Sequence, residues 1–232
     1  MSDGKTEAEG ARPWRNLYGR RHGKALRPQQ EERMARGLAA LRLPGVDWDE
    51  NPERRPLGGL PARVWLEIGF GGGEHLHHLA RAHPGVLMLG AEPFVNGIAS
   101  LCGHWDRERV ENLRIHPGDA RDLLDVLPEG AVERAFLLYP DPWPKARHHR
   151  RRFVTPEPLA QLRRALRPGA LFHLATDIED YVRQALEEVP RAGFVLETGP
   201  AGEPWEGWPG TRYERKALRE GRRPLYATFR RP

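Results

Sequence analysis

Short, continuously apolar runs alternate along this chain with segments of helical periodicity, and this alternation constrains the fold more than any other feature. Seven runs are predicted as strands, at residues 64–70, 86–91, 112–116, 132–139, 170–175, 194–198 and 225–229. Helical segments lie between most of them, and several end at a proline, as at Pro84 and Pro168. Strands that are apolar on both faces are typical of parallel sheets buried on both sides. The sequence therefore predicts an α/β fold with a mostly parallel seven-stranded sheet and helices on both faces.

Polar residues follow the first five predicted strands, at the points where the strands end. They are one glycine and four acids: Gly69, Glu92, Asp119, Asp141 and Asp177. Ligands of open parallel sheets bind beyond the carboxyl ends of the strands, near the point where the strand order reverses. Four acids in succession on that edge predict a ligand site there.

A glycine loop follows the first strand, with glycines at the alternate positions Gly69, Gly71 and Gly73. Such a loop lets a nucleotide-like ligand approach the backbone and the start of the next helix. A dinucleotide-binding fingerprint would require glycine at position 74, where this chain has Glu74. Glu92 follows the next strand, where an acid would bind ribose hydroxyls. This pairing fits both a nicotinamide dinucleotide and an adenosyl cofactor.

Two further acids favour the adenosyl ligand. Glu67, within the first strand, could hold an ammonium group indirectly or through water, and Asp119 could accept a hydrogen bond from an adenine amino group. An acidic pocket suits a sulfonium or ammonium group better than a pyrophosphate.

Two basic segments suggest an anionic partner. One follows Asp141-Pro142-Trp143-Pro144-Lys145 and consists of Arg147, His148, His149, Arg150, Arg151 and Arg152. The other is an N-terminal arm, residues 12–27, in which cations alternate with aromatic and aliphatic side chains. The chain as a whole has a net charge of +5, which favours nucleic acid as a partner. A solvated loop and a solvated tail remain the alternatives, and the arm could instead cover the cofactor.

Composition places the chain in a reducing compartment. Cys102 is the single cysteine, so no intramolecular disulfide is possible. No apolar run approaches the ~18 residues that span a membrane, and the polar N-terminus has no signal sequence. His75, His77 and His78 do not share one face of their predicted helix, so no metal site is expected. We expect a cytoplasmic protein, with a monomer favoured and no membrane or metal.

The domain boundaries follow from these patterns. Residues 1–11 are predicted to be disordered, 12–61 to form a basic arm, a helix and a proline-rich linker, and 62–232 to form the main domain. Trp205 and Trp208 lie in a late loop and could flank a flipped base or pack on the surface.

Five segments together resemble the bacterial tRNA (guanine-N7)-methyltransferase family over roughly residues 14–230. They are Tyr18-Gly19-Arg20-Arg21-His22-Gly23-Lys24, Glu67 to His75, Asp141 to Lys145 with the following basic run, Thr176-Asp177, and Thr211-Arg212-Tyr213-Glu214. The resemblance implies a Rossmann-like class I methyltransferase fold, S-adenosyl-L-methionine as methyl donor, and N7 of a guanosine in the tRNA variable loop as acceptor. The sequence departs from the family pattern at Glu92-Pro93-Phe94 and at Ile178, which stands for a common tryptophan.

The resemblance also implies roles for individual residues. Glu67, Glu92, Asp119 and Asp141, with the glycine loop, would form the donor site. Lys145, Asp177, Thr211, Arg212, Tyr213 and Glu214 would contact the substrate, and residues 147–152 would contact RNA. Asp141 is the predicted catalytic residue; the alternative is that it only caps the next turn. Guanine N7 loses no proton when it is methylated, so Asp141 would act by charge and positioning rather than as a base.

Three other classes of protein are weaker alternatives. A nicotinamide-dependent oxidoreductase would need the missing glycine, and an RNA-binding module without activity leaves the four acids unexplained. A small-molecule methyltransferase leaves both basic segments unexplained.

Overall fold

The computed structural model describes residues 15–232. The predicted disorder of residues 1–11 lies outside this range. The strands are β1 Val64–Ile68, β2 Leu87–Ala91, β3 Leu113–His116, β4 Val132–Leu138, β5 Leu166–Thr176, β6 Val195–Ala201 and β7 Leu225–Arg230. The helices are α1 Pro28–Leu41, α2 Glu74–Ala82, α3 Val95–Arg107, α4 Ala120–Val126, α5 Pro156–Ala165, α6 Glu179–Arg191 and α7 Arg212–Arg219, with a 3₁₀ helix at Ala146–Arg151.

The seven strands form one sheet in the order β3-β2-β1-β4-β5-β7-β6. The pairs from β3 to β5 are parallel, whereas β7 runs antiparallel to both β5 and β6. The predicted mostly parallel seven-stranded sheet is confirmed. The strand order reverses between β1 and β4, so the crevice where ligands bind in such sheets opens at their carboxyl ends.

Both faces of the sheet are covered, because alternate residues of each strand point to opposite sides. On one face Val64, Leu66 and Ile68 of β1 pack in a core with α4, α5 and α6. On the other face Trp65 packs in a second core with α1, α2 and α3. In residues 15–232 no helix is long and apolar enough to cross a membrane.

Three details differ from the sequence prediction. β5 begins at Leu166 rather than at residue 170, because Leu166 already pairs with Val132 before an irregularity in the register. Neither helix α7 nor the 3₁₀ helix was predicted from the sequence. The start of α7 is encoded by a capping box in which Thr211 and Glu214 exchange side-chain to backbone hydrogen bonds.

Candidate active site

A cavity of about 380 Å³ opens at the carboxyl ends of β1, β2 and β4. Its wall consists of the glycine loop, the turn after β2, the turn after β4 and residues 18–20 of the N-terminal arm. A volume of this size falls within the range of about 300–1,000 Å³ found for small-ligand sites. The cavity therefore lies where the topology of the sheet predicts a ligand.

The glycine loop is held in a conformation that side chains rarely adopt. Gly69, Gly71 and Gly73 have φ angles of +70°, +54° and +77°, all in the left-handed region. The loop also lies against the start of α3: a Cβ on Gly97 would come within 2.2 Å of the Gly71 carbonyl oxygen. Glycine at these positions is thus a steric requirement of this loop.

Glu92 connects the turn after β2 to the glycine loop. Its carboxylate accepts hydrogen bonds from the backbone N–H of Gly71 (2.7 Å) and of Phe94 (2.8 Å). A carboxylate offers about four acceptor positions, so about two remain for a ligand in the cavity. Burial raises the pKa of Glu92 to about 7, and the nearby Asp141 adds to the rise, while the two backbone bonds oppose it.

Asp141 faces the same cavity from the turn after β4. Asp141 is exposed at the surface of the cavity, but the surrounding protein partly screens its carboxyl from water and so raises its pKa. The turn contains two non-glycine residues with left-handed backbone, Tyr139 (φ 49°) and Trp143 (φ 41°), each of which costs about 1–3 kcal/mol. Such strain persists only where neighbouring contacts hold it.

Arg152 supplies those contacts. Its guanidinium donates to the Pro142 carbonyl (2.9 Å), to Asp180 (2.8 Å) and to the Gln184 amide oxygen (2.9 Å). The residue is 2% exposed, so the prediction that Arg152 contacts RNA is wrong in this structure. It anchors the strained turn to α6.

The other members of the basic run divide into two groups. Lys145, Arg147 and Arg150 are exposed and remain available to an anionic partner. The remaining three are engaged by the protein. His148 lies edge-on to Trp143, His149 pairs with Asp180 (3.0 Å), and Arg151 lies over the rings of Tyr18 and Trp143.

The N-terminal arm crosses the mouth of the cavity and is tied down on both sides. Arg15 forms a hydrogen-bonded ion pair with Asp125 of α4 (3.0 Å). Beyond the cavity, Val95 at the start of α3 donates to the Arg21 carbonyl (2.9 Å). Between these points Gly19 lies so close to Asp141 that a Cβ there would be 2.9 Å from its carboxylate. Of the alternatives for the arm, this placement favours a cover over the cavity.

Of the predicted substrate contacts only Tyr213 lines the cavity, and the two acids among them, Asp177 and Glu214, differ in how fully the protein engages them. Asp177 is held by one exposed side chain, Arg222 (2.5 Å). Glu214 accepts hydrogen bonds from Trp208 Nε1 (2.9 Å) and the Thr211 N–H (3.2 Å) and is bonded to the Tyr226 hydroxyl. Of the two acids, Asp177 is the one with a single, exposed partner that a substrate could displace.

Arg212 and Tyr213 lie at the start of α7. Arg212 donates to the Tyr213 hydroxyl (3.0 Å) and approaches Glu74 (3.9 Å). The Tyr213 ring lines the cavity and faces that of Tyr139, with centroids 6.5 Å apart and planes 21° apart. The sequence did not single out Tyr139 or Arg222, although an aromatic residue at the very end of a predicted strand was a usable signal for Tyr139.

Two predicted donor-site acids have partners elsewhere. Glu67 points to the opposite face of β1, where it contacts His75 Nδ1 (2.7 Å). Asp119 caps α4 by accepting from the Arg121 N–H (2.9 Å), and it also binds the Arg121 guanidinium. Neither lines the cavity.

The two tryptophans also lie away from the cavity. Trp205 packs against His173 (ring centroids 4.5 Å apart) and Trp208 against Tyr226 (5.8 Å). This placement favours surface packing over contact with a flipped base. Within residues 15–232, no three His, Cys, Asp or Glu side chains are grouped to hold a metal ion.

Comparison with known proteins decides the family. Residues 61–226 match a family model described as a putative methyltransferase. A tRNA (guanine-N(7)-)-methyltransferase from Cereibacter sphaeroides is 62% identical over 224 residues, covering 94% of this chain and 92% of the relative. An enzyme of the same name from Paracoccus denitrificans is 58% identical over 225 residues, covering 94% and 96%. The chain belongs to the tRNA (guanine-N(7)-)-methyltransferase family. The resemblance identified from the motifs is confirmed.

Solved structures establish the fold. The 16S rRNA methyltransferase KamB superposes with a TM-score of 0.54 at 19% identity, covering 75% of this chain and 90% of that one. A 16S rRNA (adenine(1408)-N(1))-methyltransferase from Catenulisporales acidiphilia gives 0.52 at 16% identity, covering 87% and 91%. The predicted Rossmann-like class I methyltransferase fold is confirmed.

Proposed function

We propose that this protein transfers a methyl group from S-adenosyl-L-methionine to N7 of a guanosine in the variable loop of tRNA. The observation that carries the proposal is a single cavity at the reversal point of the sheet. Two acids with raised pKa values, Glu92 and Asp141, face this cavity. Exposed Arg20 lies in its wall, and exposed Lys145, Arg147 and Arg150 lie in the segment that follows Asp141. Membership of a family named for this reaction supports the same conclusion.

The donor side of the cavity fits an adenosyl ligand. Glu92 has two acceptor positions left for a pair of ribose hydroxyls, and the absence of a side chain at Gly97 keeps the glycine loop within reach of α3. Bound S-adenosyl-L-methionine supplies a methyl group on a positively charged sulfur. Glu92 in its ionised form stabilises that positive charge, so binding of the cationic donor favours the ionised form of the carboxyl.

Asp141 positions donor and acceptor. No proton leaves guanine N7, and positive charge moves onto the purine during transfer. A fixed carboxylate beside that path stabilises the charge where it develops. The strained turn held by Arg152 keeps Asp141 in place, which limits the reorganisation needed at the moment of transfer.

Asp177 is our choice for recognition of the guanine. A carboxylate can accept hydrogen bonds from the N1 and N2 donors of guanine, and adenine lacks these donors. Glu214 is less suited because Trp208, Tyr226 and its own helix cap already use its oxygens. Arg222 must leave Asp177 when the base enters.

The proposal extends to the domain division, the macromolecular partner, the compartment and the oligomeric state. We assign residues 62–232 as the methyltransferase domain and 12–61 as an extension that carries the covering arm; the family match over residues 61–226 supports this division. We propose tRNA as the macromolecular partner, the cytoplasm as the compartment, a monomer as the working unit and no metal requirement.

The test is to incubate the protein with labelled S-adenosyl-L-methionine and bulk tRNA, digest the RNA and identify the labelled nucleoside. We expect 7-methylguanosine. Asp141→Asn should lower turnover by about a hundredfold, which is typical for loss of one preorganised charge-stabilising group. Asp49→Asn, which changes an exposed aspartate outside the cavity, serves as the matched control. Label in small metabolites, in another nucleoside, or unchanged turnover of Asp141→Asn would each contradict the proposal.

A further inference from the structure

Helix α7 carries a row of cations, and two of them, Arg215 and Arg219, have no carboxylate partner within residues 15–232. At about 100° per residue, Arg212, Arg215, Lys216 and Arg219 fall within an arc of about 100°. Ala217, the buried residue of the helix, lies on the opposite side. Arg215, Lys216 and Arg219 are exposed. The row therefore faces solvent along the whole length of the helix.

The row is unfavourable for the helix itself. Residues three and four apart are neighbours on a helix surface, and like charges at that spacing destabilise it. Arg212 with Lys216 and Arg215 with Arg219 are such pairs. Within residues 15–232 no carboxylate lies within ion-pair distance of Arg215 or Arg219, and the one near Lys216, on Glu220, is 3.9 Å away.

Two other helices pair arginines with carboxylates on the same helix. In α6 Arg183 binds Asp180 (2.7 Å) and Arg191 binds Glu188 (3.0 Å), and in α1 Arg36 binds Glu32 (2.9 Å). In α5 Arg163 and Arg164 also lack a carboxylate, but they donate to the backbone carbonyls of Gly193 and Leu127. Within residues 15–232 Arg215 and Arg219 have neither a carboxylate nor a hydrogen-bonded partner, and this sets them apart from the cations of those helices. Because the cations on α7 repel one another, their presence on this helix points to a polyanion that neutralises them.

The position of α7 indicates which polyanion. Its first turn lines the cavity through Tyr213, and it approaches α2 through the contact of Arg212 with Glu74. The basic run after β4 instead packs on α6, through Arg152 and Asp180. Because α2 and α6 belong to opposite faces of the sheet, the two sets of cations flank the cavity from opposite faces.

We propose that the cationic row of α7 binds the phosphate backbone of the acceptor RNA on the side of the cavity opposite the basic run. The inference rests on the proposed function, because it takes the acceptor to be an RNA whose target nucleotide enters the cavity. Arg215 and Arg219, one helical turn apart, each contact a phosphate. The row positions the strand on both sides of the target and reads no base.

The test compares two double variants of equal charge change. Arg215→Gln with Arg219→Gln removes the middle and end of the row. Arg81→Gln with Arg191→Gln is the control, because α2 and α6 both end at the opposite edge of the sheet. Binding of an unmodified tRNA transcript is measured with S-adenosyl-L-homocysteine present, between about 50 and about 200 mM salt. Each phosphate contact contributes about 0.7–0.9 to the slope of log affinity against log salt.

We expect the α7 variant to lose about 1.4–1.8 from that slope, to raise KM for tRNA and to leave kcat unchanged, since uniform binding is lost. Its thermal midpoint should equal or exceed that of the wild type, because like-charge pairs are removed. A structural role would lower the midpoint instead.

A slope and KM equal to those of the control would overturn the inference while leaving the proposed function intact. Failure of the wild type to form 7-methylguanosine would refute the proposed function, whereas the salt slopes would still report whether α7 binds RNA.

Discussion

Replacement of Glu92 by glutamine should remove a specific dependence of stability on pH. The Glu92 carboxyl has a pKa of about 7 in the folded chain, against an ordinary value of 4.5. The unfolded chain therefore releases this proton at lower pH than the folded chain does. The contribution of Glu92 to stability is highest below pH 4.5, declines as the pH rises to about 7 and is constant above that. The decline amounts to about 3 kcal/mol.

Two effects oppose each other in Glu92→Gln at neutral pH. The variant escapes the cost of an ionised buried carboxyl, but its amide offers one acceptor oxygen to the N–H groups of Gly71 and Phe94. One of these donors then faces an NH₂ group, which costs about 1–3 kcal/mol. The two terms are similar in size, so stability at a single pH decides nothing. The informative quantity is the change with pH of the difference between wild type and variant.

The assay is urea unfolding of wild type and Glu92→Gln between pH 4.5 and 8. We expect the free energy of unfolding of the wild type, relative to that of the variant, to fall by about 3 kcal/mol over this range. The exposed Glu31→Gln should show no such trend relative to wild type. Parallel curves for wild type and Glu92→Gln would refute the assignment of a buried, strongly shifted carboxyl.

The same protonation should be linked to donor binding. If ribose hydroxyls bind the ionised carboxylate, S-adenosyl-L-homocysteine binds wild type more tightly as the pH rises, by up to about tenfold per pH unit below pH 7. Calorimetry in buffers of different ionisation heat should show a proton released on binding to wild type and none for Glu92→Gln. A proton release that is the same for both would place the ligand elsewhere.

Three further substitutions test the supports of the cavity. Gly97→Ala gains about 1 kcal/mol of helix propensity, yet its Cβ would collide with the Gly71 carbonyl oxygen; calorimetry should show donor affinity reduced by at least about tenfold. Arg152→Gln leaves the turn after β4 without its anchor and should cost about 1–3 kcal/mol in urea unfolding, because the Pro142 and Gln184 acceptors lose their donor, whereas exposed Arg150→Gln should leave stability unchanged. Arg15→Gln releases one end of the arm, so limited proteolysis within residues 16–27 should be about tenfold faster, and equal rates would contradict the anchoring.

The ends of the strands were predictable because buried strands appear in the sequence as continuous apolar runs. An apolar run that stops at an acid identifies both the strand and its end, and the topology then brings the ends together. Glu92 and Asp141 illustrate this, since they lie far apart in sequence and meet in one cavity. Locating these two acids in the cavity required no knowledge of which side chains contact each other.

Glu67 and Asp119 show why a list of strand-end acids is not a site. Side chains alternate across a strand, so Glu67 points away from the cavity that neighbouring Ile68 lines. Asp119 is drawn into a local cap by Arg121, two residues along. Both outcomes depend on side-chain direction and on contacts with nearby residues, which the position of an acid in the chain does not convey.

The same problem is greater for cations, because the sequence does not distinguish an arginine that faces RNA from one that pairs with a carboxylate of the protein. Arg150 and Arg152 belong to one run, but only Arg150 is exposed, and Arg152 holds the turn that carries Asp141. The run looks like an RNA-binding segment, yet its last residue serves the geometry of the site. Helix α7 is the opposite case, because no motif next to its cations marks them in the sequence as an RNA-binding segment. Their significance appears only in the structure, where Arg215 and Arg219 lie one helical turn apart without a compensating acid. The physical criterion that separates the two cases is the local balance of charge in the folded chain. By that criterion we divide the proposed RNA contacts between the exposed cations of the basic run and those of α7.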